Sequence, residues 1–487
     1  MVHLNKLIYN EVYKVLHKKV TYIFCALVIL QFIAVVFMAI YNKNYIKNAD
    51  RINVQEAKER ISKVNLDNID KLTYIEGFIE DKTIVESYKY YKKYGTDSWQ
   101  RYLFDEDVYP NIKCMMSAKY KKLDHEVYTK CREAYIDKIN EIDSNDWKYF
   151  VNKYQDDAIK ELTELQESYD EAENELTKKS IMLSIKAVQL EIDGYKYHLL
   201  KDVPIDYSPK SAMIADYVSN ATVYLNLELD ESKYKEYYEL KDKRETEKIM
   251  FESKYRIDND LEPLSSYTSG NMFISYTCIS IIMVIVYMLM VSGTIVSEEF
   301  NKGTIKQLLV RPYSRYKIII SKLLGAIIVS LMFLIFYIFV AFIFCGIAYG
   351  FKGYFIPVVI YDFGKQAVVH MSIFQYLIIS TLSYIPQYLI LITLSMFLGV
   401  FILNEALAIG IPILALLVSS YVLPYTNMKF LKYFPTMCWN FNDFLWGGLP
   451  SFRGLELKIN IIVSILTFIL FVIAIITVFK NKDVKNQ

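Results

Sequence analysis

The chain has 487 residues, of which 53% are apolar and 22% charged, and its mean hydropathy is +0.18. That is too apolar for a wholly soluble protein and too charged for one held entirely in lipid, so a membrane part and a water-facing part must coexist. Of its 55 Lys+Arg and 54 Asp+Glu, 36 and 46 fall in residues 42–270, a balance of −10, while 19 and 8 fall elsewhere, a balance of +11. No basic patch with interleaved aromatics points to nucleic acid.

Leu4, Leu7, Ile8, Val12, Val15 and Leu16 form the apolar face of a helix whose basic part is Lys6, Lys14, Lys18 and Lys19. Residues 1–19 therefore read as an interfacial helix lying on the membrane or, more simply, a solvated leader before a span. Val20–Tyr41 is the first run long enough to cross a bilayer, which takes about 20 apolar residues at 1.5 Å each. Its apolar core is too long for a signal peptide and no small-residue cleavage site follows, so it is expected to be retained.

Residues 42–270 are rich in Lys, Glu, Asp and Tyr and contain no spanning run. From Asp157 to Tyr197 the pattern is helical, with Leu162, Tyr169, Leu176, Leu183, Leu190 and Tyr197 recurring every seven residues. Such a ladder keeps one seam toward a partner helix. The second seam position fades at Lys179 and Lys186, which favours packing inside a helical domain over a long coiled coil. A turn around Pro204–Pro209 precedes another charged helix, Tyr224–Tyr255. Cys114 and Cys131 could form a disulfide or remain free; a helical region large enough for its own core favours free thiols.

Five further apolar runs follow: Met272–Val296, Ile318–Ala348, Ile373–Leu403 (with Pro386 inside), Ala406–Leu423 and Lys458–Phe479. Six spans is an even number, so both termini share a side. The N-terminus, the segment between the second and third runs, the Asn404-Glu405 turn and the tail 481–487 carry most of the loop Lys and Arg. The positive-inside rule then makes the termini cytoplasmic and residues 42–270 extracellular. The chain reads as an all-α polytopic membrane protein of the cytoplasmic membrane: six transmembrane helices, with a large, mainly helical extracellular domain between the first and second. The loop 349–372 carries no predicted element. The outer loop 425–456 holds Phe430, Phe434, Trp439, Phe444, Leu445 and Trp446, as interfacial aromatics do.

The segment Ser297–Lys322 is polar between two spans. Glu298 and Glu299 come first, where a helix N-terminus would favour negative charge. Ile305, Leu308 and Leu309 follow i, i+3, i+4 spacing, predicting a short amphipathic helix that Pro312 ends. Lys322 sits near enough to the cytoplasmic end to snorkel, and charged groups inside the spans are otherwise nearly missing, which argues against an ion-coupled carrier. Intramembrane hydroxyls and Gln387 could offer polar contacts or, more simply, serve helix packing. No G-x-x-x-x-G-K-[ST] is present to cradle ATP phosphates. The five histidines stand apart from any cysteine at ligand spacing, so no metal site is expected. Nothing in the residues suggests a catalytic constellation or a cofactor.

The order acidic pair, Gly303-Thr304, Leu308-Leu309, Pro312 and Ser314-Arg315, set between the second and third of six spans, resembles the ABC-2 type transporter permeases. The resemblance covers roughly residues 1–41 and 272–480. It implies that 297–317 is a coupling segment docking into a separate ATPase subunit, present in two copies and carrying the ATP and Mg. It implies a second permease copy or paralogue, an elbow helix at 1–19 and re-entrant helices in 425–456. On that resemblance Glu298 and Glu299 would cap the coupling helix or meet basic ATPase residues. Gly303 would permit close backbone approach, with Thr304 beside it in the coupling motif; Leu308 and Leu309 would fill a docking groove, Pro312 would end the helix, and Arg311 and Arg315 would meet acidic residues or lipid phosphates. The function implied is export of an amphipathic or apolar cargo, a peptide (an antimicrobial one would suit) or a lipid-like molecule. The alternative is a non-transporting transmitter or sensor coupling a cytoplasmic ATPase to the outer domain. In neither case is this chain itself an enzyme.

Overall fold

The computed structural model describes residues 2–64, 75–228, 237–279, 282–310, 313–423, 426, 429–450, 452 and 454–482. The chain divides into two units, one made of Met1–Ala39 with Leu264–Gln487 and the other of Ile40–Pro263. Helix α1 is Val2–Leu16, and α2 runs without a break over Lys19–Ser62, 44 residues, well past the apolar stretch that the sequence marks as a span.

The charged unit is built from α3 (Ile75–Tyr94), α4 (Trp99–Leu103), α5 (Tyr109–Tyr120), α6 (His125–Ser144), α7 (Trp147–Glu171), α8 (Glu175–Leu200), α9 (Pro209–Glu228) and α10 (Tyr237–Asp258). A single π turn, Phe104–Val108, joins α4 to α5 and aims Phe104 and Val108 into the core. That core gathers Leu103, Phe104, Ile112, Ile139 and Phe150 under a shell of tyrosines. Arg101 anchors the same region. Its guanidinium donates to Asp50 and Asp105 and stacks on Tyr91, so most of its donors are used.

One sequence expectation is refined here and one is corrected. The helical pattern over Asp157–Tyr197 is not one helix. It breaks at Ala172–Asn174, where Asn174 caps α8 by accepting from the Leu176 amide, and α8 folds back on α7. Ala158, Leu162 and Leu165 then meet Val188 and Ile192, so the partner of the ladder is its own continuation, and Leu176 is left exposed at the bend. Cys114 and Cys131 are bonded rather than free: α5 and α6 lie side by side and bring their Cα atoms to 5.9 Å. The charged run Tyr224–Tyr255 spans the end of α9 and most of α10, and its residues 229–236 lie outside the described residues.

The apolar unit adds α11 (Ser269–Ile279), α12 (Ile282–Asn301), α13 (Ile305–Leu309), α14 (Arg315–Tyr349), the strands β1 (Val358–Asp362) and β2 (Ala367–Met371), α15 (Ile373–Ile402), α16 (Glu405–Tyr421) and α17 (Leu457–Asn481). Among the described residues, five stretches are long and apolar enough to cross a membrane: Lys19–Ser62, Ser269–Asn301, Arg315–Tyr349, Ile373–Ile402 and Leu457–Asn481. The sixth expected run is α16, a shorter apolar helix of 17 residues.

Close helix approach depends on small residues. A Cβ on Gly399 would fall 2.5 Å from the Gly293 carbonyl oxygen. Beside it the Ser395 hydroxyl bonds the carbonyls of Leu289 and Ala408, tying α15 to α12 and α16. Aromatic pairs finish the core, with Phe24 and Phe32 of α2 against Tyr287, Phe333, Tyr276 and Tyr337.

The loop 349–372 is not structureless. β1 and β2 pair antiparallel, Val358 with Met371 through Asp362 with Ala367. Asp362 closes the turn by accepting from the amides of Gly364 and Lys365. All five residues of β1 are buried, so the run Val358–Tyr361 lacks the alternation that would have announced a strand. In the aromatic loop, a 3₁₀ turn at Lys429–Tyr433 packs against α17, and another at Asn442–Gly447 packs against α15 and β1. Ser464 and Asn460 of α17 donate to the carbonyls of Cys438 and Asn440.

Candidate functional site at the polar segment

The segment that the sequence singles out begins inside a helix. Glu298 and Glu299 lie in the last turn of α12, not at a helix start. A helix C-terminus disfavours anions, so these carboxylates need cations, and the fold supplies four. Lys14 of α1 pairs with Glu299 and Lys18 with Glu298. Lys302 reaches back to Glu298 at 2.5 Å. Lys322 of α14 lies 2.8 Å from Glu299, at an angle unsuited to a hydrogen bond, and 3.0 Å from Glu11 of α1, to which it donates.

Lys322 therefore does not snorkel. Its side chain is fully buried, with Glu11 and Glu299 each under a tenth exposed. Such a charge is tolerated only when paired and hydrogen-bonded. Gly325, one turn on, lets α1 in: a Cβ there would meet the Glu11 side chain at 3.0 Å. Glu11 occupies the middle of the buried stripe Leu7, Glu11, Val15, an i, i+4, i+8 face turned to α14. Burial alone would depress the Lys14 ammonium, but the hydrogen bond and charge of Glu299 outweigh it and hold that group above its ordinary value.

After Asn301 the chain turns at Gly303, whose φ of +69° is one that side chains rarely adopt. Thr304 bonds back to the Glu299 carbonyl at 3.4 Å. Ile305 then anchors α13 in the apolar core at 1% exposure, and Val310 stands open at 85%. The helix spans Ile305–Leu309, so it ends ahead of Pro312. The side chains of Leu308 and Leu309, and Arg311 and Pro312 altogether, lie outside the described residues. A cleft of about 320 Å³ opens between α1 and the segment, bounded by Lys14, Lys18, Glu298, Glu299, Lys302 and Thr304.

Arg315 has a different setting from the one expected. Its guanidinium donates to the carbonyls of Lys480 and Lys482 at the end of α17. The Lys482 ammonium in turn caps α15 through the carbonyls of Val400 and Phe401. Among the described residues, no group of three or more His, Cys, Asp or Glu is placed to hold a metal. Sequence reasoning found the segment but missed Glu11, although a carboxylate inside an otherwise apolar stripe was the available signal.

These features define a helical membrane protein in which a polar segment is clasped to an amphipathic N-terminal helix by buried charge. Residues 243–485 match a family model described as a protein of unknown function, DUF2705. The chain is similar to the uncharacterized protein YhcI of Bacillus subtilis (strain 168), 24% identical over 235 residues, which is 48% of this chain and 74% of that one. It is also similar to the uncharacterized membrane protein YdbK of the same organism, 36% identical over 89 residues, covering 18% of this chain and 34% of the relative. No solved structure gives a significant match.

Proposed function

We propose that this chain is the permease subunit of an ATP-driven ABC exporter of the cytoplasmic membrane, moving an amphipathic or apolar cargo, peptide or lipid-like. Two copies of a separate ATPase would power it, and a second permease copy or paralogue would complete the path. The observation that carries this reading is the junction of α1, α12 and α14. A short helix, α13, is held between two long apolar helices, and Lys322 is clasped by Glu11 and Glu299 at their base. Buried charge resists sliding, so a push on α13 would pass to α12, α14 and α1 together. The sequence has no P-loop of its own, and a push must come from a partner.

On this reading α16 is the sixth span. Its 17 residues rise about 25 Å, short of the roughly 30 Å core, so tilting of neighbours or local thinning would accommodate it. The Ile40–Pro263 unit would lie outside the cell, where the Cys114–Cys131 bond is chemically at home. The alternative is a non-transporting transmitter or sensor that couples a cytoplasmic ATPase to the Ile40–Pro263 unit.

Purification from native membranes, followed by reconstitution, tests both. Co-purification of an ATPase, with ATP-dependent cargo movement that Leu308→Glu abolishes, is the expected result. Outer-unit motion driven by ATP without flux would favour the transmitter. An isolated chain with no nucleotide-hydrolysing companion would overturn both.

A further inference from the structure

The charged unit holds a cleft of about 480 Å³ walled by α8, α9 and the chain around the π turn. That is the size of a small-ligand or peptide side-chain site. Two tyrosine pairs face it: Tyr102 with Tyr207, ring centroids 5.3 Å apart, and Tyr154 with Tyr195 at 6.1 Å. Three of their hydroxyls are already committed to carboxylates. Tyr154 donates to Asp107 at 2.8 Å, Tyr195 to Glu191 at 2.7 Å and Tyr207 to Asp105 at 2.9 Å. What these rings still offer is their faces, which attract cations.

The rest of the lining has the matching charge. Glu106, Asp107, Glu191 and Asp206 border the cleft and, among the described residues, no lysine or arginine does, although Lys138 approaches Asp107 at 3.4 Å. The Glu106 carboxylate makes no ion pair or hydrogen bond among the described residues. On the wall, His198 is 6% exposed and donates from Nδ1 to the Val203 carbonyl at 2.8 Å, since a carbonyl can only accept. In the neutral ring this leaves Nε2 an acceptor without a partner among the described residues. The floor is apolar, with Leu103, Ile214 and Val218, and Gly194 keeps α8 close: a Cβ there would lie 2.7 Å from Val218 Cγ2.

We propose that this cleft binds a Lys- or Arg-bearing amphipathic peptide segment. The ammonium or guanidinium sits among the tyrosine faces and the Glu106 and Glu191 carboxylates, and a neighbouring apolar side chain rests on the Leu103–Ile214–Val218 floor. The exposed acidic surface around it, part of the −10 balance of residues 42–270, steers such a ligand inward. The assignment deepens the export reading by naming the chemistry of the cargo, and it rests on that reading only for the steps after binding.

The test uses the full chain in nanodiscs of zwitterionic lipid, with empty discs as control and fluorescence anisotropy as the readout. The probes are two labelled peptides of equal length, one alternating Lys and Leu, the other Glu and Leu. Saturable binding of the first and not the second is expected. Glu106→Gln with Glu191→Gln should weaken it about tenfold, in keeping with loss of two charge contacts of about 0.7 kcal/mol each. Ala215→Trp, at an exposed α9 position on the rim, should abolish it by filling the cleft while leaving the fold intact. Equal binding of both peptides, no binding, or variants indistinguishable from the parent would overturn the assignment. Intact binding with no ATP-driven transport would count against the export reading alone.

Discussion

The Lys322 ammonium and the Glu299 carboxylate lie 2.8 Å apart with neither side chain more than 4% exposed. With Glu11 they form a cation between two anions, inside a largely apolar bundle. Removing the cation alone would strand the Glu11 carboxylate and leave Glu299 with Lys14 as its one remaining cation among the described residues. Lys322→Met should therefore destabilise the protein by about 3–5 kcal/mol, whereas adding Glu11→Gln and Glu299→Gln to it should recover most of the loss. Thermal unfolding in detergent checks this, and a triple variant no better than the single one would refute it.

Helix packing at Gly399 leaves no room for a side chain. Gly399→Leu would drive atoms into the Gly293 carbonyl and should cost about 1–3 kcal/mol in overpacking. Gly410 on α16 has nothing within 4 Å of an added Cβ, so Gly410→Ala should leave the melting temperature unchanged or raise it. The contrast between the two variants is the measurement.

His198 gives the charged unit an acid sensitivity. Burial pushes its imidazolium below the ordinary value of 6.5, and the Val203 hydrogen bond and the charge of Asp206 offset this only in part. A depressed folded-state value means the unfolded chain takes up the proton first. The contribution is thus complete above about pH 6.5 and is lost as the pH falls through the lower folded value. Hydrogen exchange in α8 and α9 should accelerate over that window, and His198→Gln should flatten the dependence. An unaltered slope in the variant would assign the sensitivity to other groups.

The disulfide makes a covalent prediction. Alkylation of the denatured, unreduced chain should leave Cys114 and Cys131 unmodified, and reduction should expose both. At a sequence separation of 17, Cys114→Ser with Cys131→Ser should destabilise the charged unit by about 3 kcal/mol on a loop-entropy estimate. Intact mass and a melting curve report the two effects separately.

Runs of 20 or more apolar residues announce themselves, and α14, α15 and α17 lie within a few residues of where composition places them. The short helix at Ile305–Leu309 was legible from the spacing of its apolar residues, but its start was not: Glu298 and Glu299 close the preceding helix, and the turn at Gly303 separates the two. Partners distant in sequence were not legible either. Lys322 meets a residue 311 positions away, and only the fold shows that α1 turns Glu11 rather than Lys14 into the bundle. The bend at Ala172–Asn174 was hidden by a periodic pattern on both sides of it. The strand β1 was hidden by being buried on both faces. Each miss is a case where tertiary surroundings, absent from a local window, decided the outcome.

Arg315 grips the last carbonyls of α17, and Lys482, just beyond α17, grips those of α15. Three long helices are thereby knotted at one end, like staves under a single hoop. To spread there, the bundle would forfeit four charge-assisted bonds at once. Any widening is therefore easier at the opposite rim, under the β1–β2 hairpin and the 3₁₀ turns, so the molecule is built to pivot about its tethered end.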